Sequence, residues 1–401
     1  MTITSTKNYS LKNLLPLTLG GFSIGMTEFL IMGVLPNAAH SLNVSIPTAG
    51  YLIAIYAFGV VIGAPILIAL SHRFTAKQTL IGLMLSFAIF NLIFSVAPSF
   101  PLLLFSRFMS GLPHGAFFGI GAVVATRLAR PGKGASAVAL MFAGLTLANI
   151  LGVPIGTFIG NHFSWRLAYF IVALFGFITL LSIIKWLPDV EIIHNTNFVK
   201  SLKILKHLDI WLIIGISAIG MGGLFAWISY IAPLMINIAL FSADMITFIM
   251  MIAGLGMAVG ILLGGKLADA FSPLLVTAVL LFLMMICLII IVHTTQYQII
   301  AVTMTFITGA VSFAIISPMQ MLMLQAARGS EMLASSVVQS SSNIGNALGA
   351  FLGGLPIAAG FGYTSPEYVG LAMAAIGLVF CWGIHHLNTK ALPTRPQNLA
   401  H

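Results

Sequence analysis

Twelve apolar runs follow one another along the chain, each long enough to cross the roughly 30 Å hydrocarbon core of a bilayer as a helix. They lie near 14–38, 47–70, 79–97, 101–126, 135–160 and 166–187, then near 209–234, 244–268, 273–293, 298–325, 331–359 and 366–387. A polar stretch, 188–208, separates the sixth run from the seventh and carries Asp189, Glu191, Lys200, Lys203 and Lys206. Only 6% of the 401 residues are Asp, Glu, Lys or Arg, where a soluble domain carries about 25%. No soluble fold of this size hides so much apolar surface, so most side chains have lipid as their solvent. The first run is too long for the apolar core of a cleaved signal and contains Glu28, which marks it as a retained first helix.

Charge sorts the connections. Fifteen of the seventeen Lys and Arg residues lie in the tails or in even-numbered connections. The odd-numbered connections hold one, Arg166, and Arg107 lies inside a span. Positive residues collect on the cytoplasmic side of membrane proteins, so both termini and the central loop are expected there, in a bacterial inner membrane. The net charge of +9 thus reports topology, not an affinity for nucleic acid. Cys287 and Cys381 sit in apolar runs without a disulfide or metal pattern, and the adjacent His385 and His386 lack a zinc-binding spacing. No metal and no cofactor are expected.

The halves repeat each other. Gly59, Gly63, Leu70, His72 and Phe74 match Gly256, Gly260, Leu267, Asp269 and Phe271 at an offset of 197. Asn149, Leu151, Gly152 and Gly156 match Asn346, Leu348, Gly349 and Gly353 at the same offset. The reading is two six-helix bundles related by an axis along the membrane normal. They occupy 1–187 and 209–401, with 188–208 as a cytoplasmic linker.

Glu28 is read as the only acidic side chain well inside any span. It lies about 10 residues, or roughly 15 Å, from the end of its helix, which places it near the midplane. A carboxylate there costs several kcal/mol unless it is paired, protonated or wetted. It therefore reads either as a proton carrier or counter-charge, or as a structural Glu held by hydrogen bonds. Arg107 and His114 share a face of the fourth helix with Gly111. Glu28 and Arg107 are expected to face a common central cavity and to influence each other's charge. For His114 a neutral packing role stands equally open. The C-terminal half offers no comparable charge, but neutral polar and aromatic groups: Trp227, Tyr230, Gln320, Gln339, Asn343 and Asn346. The last three fall on one helix face, as either a cavity lining or glue between helices. Gly144, Gly152 and Gly156 also share a face, which suits a helix interface that rocks or simple close packing.

Several stretches resemble the major facilitator superfamily. Gly63-Ala64-Pro65 followed by Leu70-Ser71-His72-Arg73 and Lys77 is similar to its loop 2–3 motif, and Gly265-Lys266-Leu267-Ala268-Asp269 to the counterpart in loop 8–9. Arg107 through Gly115 resembles its helix-4 Arg motif. Gly144 through Gly152-Val153-Pro154-Ile155-Gly156 resembles the helix-5 motif of proton-coupled antiporters. Thr27 through Pro36 and Gly111 through Phe118 narrow the resemblance to the AraJ-type sugar-efflux branch of the drug:proton antiporter group. His72 stands where that family carries Asp, and Val153 where it carries Gly. The resemblance implies conformational roles for Gly63, His72, Arg73, Gly265, Asp269, Gly144, Gly152, Pro154 and Gly156, and proton coupling for Glu28, Arg107 and His114.

The expected activity is secondary transport by alternating access: proton-coupled efflux of a small molecule, a sugar such as arabinose or a drug-like compound, by a monomer in contact with membrane lipid. A facilitative uniporter or a proton symporter has the same fold and nearly the same residues. A membrane scaffold is the rival from another class, but it would not require Glu28 and Arg107 in lipid. No metalloprotease, serine-hydrolase or nucleotide-binding signature is present, so an enzyme is not expected.

Overall fold

In hydrocarbon a backbone must satisfy its own hydrogen bonds, and a helix does so within one segment. The computed structural model describes residues 11–71, 73–130, 134–190, 206–327 and 331–390, and helices account for nearly all of them. The N-terminal half comprises α1 (Leu11–Leu42), α2 (Ile46–Ser71), α3 (Ala76–Val96) and α4 (Phe100–Leu128). It continues with α5 (Gly134–Leu147, a π-helical turn at Ala148–Gly152, then Val153–Ile159) and α6 (Trp165–Trp186). The C-terminal half opens with α7, which runs in pieces through Leu208–Gly215, Ile216–Gly220, Gly222–Ser229 and Ile231–Asn237. Then come α8 (Met245–Ala270), α9 (Pro273–Thr294), α10 (Gln298–Ala314 and Ile316–Ala326), α11 (Glu331–Ala358) and α12 (Ser365–Lys390).

Ten helical stretches among the described residues are long and apolar enough to cross a bilayer. One of them, Ser136–Trp186, has 51 residues, about 75 Å of helix and more than twice the hydrocarbon thickness. It breaks at Ser164, whose backbone is extended (φ −161°, ψ 136°) and whose hydroxyl caps α6. It therefore makes two passes. Helix α11 falls below the apolar threshold because Gln339, Ser340, Ser341, Ser342, Asn343 and Asn346 lie along it. Each apolar run of the sequence thus sits on one helix, with ends shifted by a few residues.

Local chemistry explains the ends and bends. Thr75 and Gln78 form a reciprocal capping box at the start of α3. Pro101 occupies the first turn of α4, where a missing N–H costs nothing. Pro154 cannot donate to the preceding turn, and the π turn at Ala148–Gly152 absorbs the mismatch. Arg166, the one cation in an odd-numbered connection, donates from Nη1 to the Ala97 carbonyl (2.7 Å) at the C-terminal end of α3. A cation at a helix C-terminus is where the helix dipole favours it.

The packing repeats as the 197-residue offset implies. In the first half α1 packs on α5 and α6, α2 on α4, and α3 on α4 and α6. In the second, α7 packs on α11 and α12, α8 on α10, and α9 on α10 and α12. Between the halves α2 meets α11, and α5 meets α8, again an equivalent pair. The repeat reaches single contacts. A Cβ on Gly63 would overlap the Leu112 carbonyl of α4, and one on Gly260 would overlap the Ala310 carbonyl of α10. Lipid offers helices no hydrophobic reason to associate, so contact at this range, backbone to backbone, holds them together.

Gly63→Val and Gly260→Val should each destabilise the protein by about 1–3 kcal/mol, as overpacking does. Gly82→Ala, where nothing lies within 4 Å of the new Cβ, should leave the thermal midpoint unchanged or raise it, since Ala favours helix. Equal midpoints for Gly63→Val and Gly82→Ala would refute the backbone-contact account.

Candidate functional site

Glu28 is 7% exposed and lies on α1 where the two halves meet. Its Oε1 accepts a hydrogen bond from Asn346 Nδ2 on α11 at 3.1 Å. This bond crosses from one half to the other. Among the described residues no Lys, Arg or His nitrogen approaches Glu28 within 4.0 Å.

Arg107 takes the opposite direction. It is 0% exposed and points into the N-terminal half. Nε donates to the Leu52 carbonyl at 3.1 Å, and Nη1 donates to the carbonyl and the hydroxyl of Thr27 at 3.2 and 3.1 Å. Its guanidinium lies over the Tyr56 ring at 4.2 Å and over Phe94 and Tyr169 at 5.5 Å each. Ring faces and carbonyl dipoles thus do for this cation what a carboxylate would do elsewhere. Tyr169 also donates to the Thr27 carbonyl (3.2 Å), and the Thr27 hydroxyl donates to Asn91 Oδ1 (2.6 Å). Arg107 and Glu28 are therefore not an ion pair. Arg107 holds Thr27, the residue before Glu28 on α1, but only Glu28 sits at the contact between halves. His114 joins the arginine cage, with Nδ1 3.1 Å from the Tyr56 hydroxyl.

The amide stripe of α11 is split. Asn346 serves Glu28, whereas Asn343 Nδ2 donates back to the Gln339 carbonyl of its own helix (3.0 Å). The Oδ1 atoms of Asn343 and Asn346 are buried without a hydrogen-bond partner, as are Asn149 Oδ1, Trp227 Nε1 and Arg107 Nη2. Buried polar atoms are rarely left unpaired, and these lie on α4, α5, α7 and α11. Tyr230 instead acts in packing. Its hydroxyl donates to the Ala350 carbonyl (2.7 Å), and its ring lies between Gly354 and Gly50 of the other half. Gln320 and Gln339 are half-buried on α10 and α11.

The motif residues fall in three places. Gly144, Gly152 and Gly156 face α1 within the N-terminal half, not the opposite half. At the α5–α8 contact the close approach is made by Gly254 against the Asn149 backbone. In α8 it is Gly264, not Gly265, that meets the Ala314 carbonyl of α10, and Gly265 has only Ser317 Oγ near it at 3.9 Å. Arg73 and Asp269 are exposed at the ends of α2 and α8. His72 lies outside the described residues.

At the membrane face away from the termini the halves are tied again. Asn161 Nδ2 donates to the Ala243 carbonyl at 2.9 Å, and His162 Nε2 lies 3.4 Å from Asp244 Oδ1. Asn37 braces Asn161 from α1 at 2.9 Å. Tyr51 of α2 stacks on Phe351 of α11 on the same side, at 5.9 Å between ring centres. In the sequence Thr27 figures only as the start of the Thr27–Pro36 resemblance, and Tyr56, Asn91 and Tyr169 do not stand out, although Thr27 and Asn91 are polar groups inside apolar runs. Nor does Glu367, 1% exposed in the first turn of α12: it is a second buried acid, at a helix end rather than well inside a span as Glu28 is.

The profile of the Major Facilitator Superfamily matches residues 17–332. "Putative transporter AraJ" of Escherichia coli (strain K12) is 40% identical over 365 residues, 91% of this chain and 92% of that protein. "Inner membrane transport protein YdhP" of the same strain is 39% identical, over 91% of this chain and 94% of that one. A "Chloramphenicol resistance protein" of Streptomyces lividans is 26% identical over 92% of this chain and 95% of its own. The crystal structure of a D-xylose-proton symporter superposes with a TM-score of 0.77 at 16% identity, covering 93% of this chain and 97% of that one. A matched pair of six-helix bundles, a buried acidic side chain at their contact and a profile match over most of the length agree: this chain belongs to the Major Facilitator Superfamily and is a membrane transporter.

Proposed function

We propose that this chain is a proton-coupled exporter of small hydroxylated or drug-like molecules in a bacterial inner membrane, working by alternating access as a single chain. The observation that carries the proposal is the Glu28–Asn346 bond, among the described residues the one place where a buried acid of one half is held by the other. An ionised carboxylate accepts a charge-assisted hydrogen bond, which is stronger than one to a neutral acid. With Glu28 charged, the bond holds α1 against α11. A proton arriving at Glu28 removes the charge, weakens the bond and lets the halves separate. Arg107 stays fixed in its cage and keeps α1 in register, so the proton acts at a set position. The unpaired amide oxygens of Asn343, Asn346 and Asn149 and the indole N–H of Trp227 are the polar groups offered to cargo. Inner-membrane location and efflux draw on the likeness to an inner membrane transport protein and a chloramphenicol resistance protein, and on the helix-5 resemblance. The charge asymmetry places both termini in the cytoplasm. The Asn161–Ala243 and His162–Asp244 contacts then lie on the periplasmic side, and the structure is the state closed to the outside.

Cargo comes from a thermal-shift screen of the purified protein against sugars, nucleobases and lipophilic cations, since a ligand raises the midpoint by mass action. In proteoliposomes with an imposed pH gradient, Glu28→Gln should abolish gradient-driven flux of that cargo while exchange without a gradient persists. Asn346→Ala should lower driven flux about tenfold, the equivalent of ~1.4 kcal/mol. Undiminished driven flux in Glu28→Gln would remove Glu28 as the proton carrier. Cross-linking Asn161→Cys to Ala243→Cys should stop transport and reduction should restore it; continued transport in the cross-linked protein would show that this contact does not open.

A further inference from the structure

Glu367 is unrelated to the Glu28 contact. It sits in the first turn of α12, against the last turns of α9, and lines a cavity of ≈ 20 Å³ together with Leu288, Ile289, His293, Tyr368 and Leu371. Its side chain is 1% exposed, and its Oε2 is buried with no hydrogen-bond donor among the described residues. The N-terminus of α12 favours a negative charge nearby, but that accounts for a carboxylate at this turn and not for an unpaired oxygen facing a cavity. The α9 end of the same cavity is a helix C-terminus, whose dipole favours a cation. Carboxylate and dipole therefore ask for the same kind of guest.

The size and the walls narrow the choice. About 20 Å³ holds one water-sized group, which admits a primary ammonium and rejects a trimethylated one. The ammonium carries three N–H donors, enough for Glu367 Oε2 and for further acceptors at the α9 terminus. Apart from Glu367, and His293 and Tyr368 at the helix ends, the walls are apolar and run toward the middle of the membrane through Leu288, Ile289, Val292 and Leu371. Ile289 (45%) and Tyr368 (55%) are exposed on the outer flank of the bundle, where lipid lies. Tyr368 at a helix end stands at headgroup depth, as interfacial tyrosines do. A soluble amine gains nothing from such walls, whereas a phospholipid places its amine at the helix ends and its chains along the apolar flank.

We propose that the crevice between α9 and α12, at the face away from the termini, is a binding site for an aminophospholipid, with the ethanolamine ammonium on Glu367 and an acyl chain along Ile289 and Leu371. The site is separate from the transport route, and its test reads lipid rather than cargo. Delipidated full-length protein is titrated with phosphatidylethanolamine, phosphatidylcholine and phosphatidylglycerol of identical chains, and with free ethanolamine. Retained lipid is read by native mass spectrometry and the midpoint by thermal shift. Phosphatidylethanolamine should be retained about tenfold better than phosphatidylcholine, the scale of one hydrogen bond to a charged group. Free ethanolamine at equal concentration should have no effect. Glu367→Gln, nearly isosteric, should erase the preference while leaving binding of phosphatidylcholine unchanged. Leu371→Trp, which fills the crevice and keeps the carboxylate, should erase it as well, and stands in if Glu367→Gln fails to fold. Equal retention of the three lipids, an intact preference in both variants, or a matching response to free ethanolamine would each overturn the proposal.

Discussion

Lipid is as apolar as leucine, so no helix of this protein is driven against another by the need to leave water. Close approach does that work. Where α2 crosses α4 and α8 crosses α10, glycines bring one backbone against a carbonyl of the other, at positions related by the 197-residue offset. Everything else depends on these crossings. They set each bundle as a unit, and they leave α1, α2, α5, α7, α8 and α11 to meet across the boundary between bundles. A bulkier residue at Gly63 or Gly260 would act on the whole bundle through its backbone rather than on one local pocket.

Chemistry is unequal on this symmetric frame. The position equivalent to Glu28 is Phe225, and the one equivalent to Arg107 is Met304, both buried and apolar. Asn149 and Asn346 are equivalent too. Only Asn346 has a carboxylate within reach, because Phe225 offers nothing to accept its counterpart's hydrogen bond. Around this contact the N-terminal half thus supplies the ionisable groups Glu28 and Arg107, and the C-terminal half neutral amides and an indole. In the proposed function, the Glu28–Asn346 bond is the route from a proton to a movement between bundles.

Much of this was readable in advance, and particular residues show where reading stopped. Glu28 and Arg107 were conspicuous as charges inside apolar runs, since such residues are rare unless they do something. Their joint orientation was not readable. Similar depth says nothing about azimuth, and the arginine turned inward to three aromatic rings that lie on three other helices. Gly144, Gly152 and Gly156 shared a face in the sequence, but the partner of that face is α1, a neighbour in the same half. Gly264 supplanted Gly265 because one residue is a 100° turn on a helix. Glu367 escaped notice at the end of a run, where carboxylates are ordinarily solvated; only the packing of α9 against α12 buries it.

Hydropathy, charge asymmetry and internal repetition are properties of order along the chain, so residue order is enough to give the spans, their pairing into halves and the identity of the rare charges. Tertiary structure alone decided which groups touch. Glu28 finds Asn346, 318 residues away, and Arg107 finds Tyr56, Phe94 and Tyr169. The physical reason is that lipid screens no contact and dictates none. A helix in a bilayer is free to rotate about its axis until glycine crossings and buried hydrogen bonds choose one angle, and that choice involves all its neighbours at once.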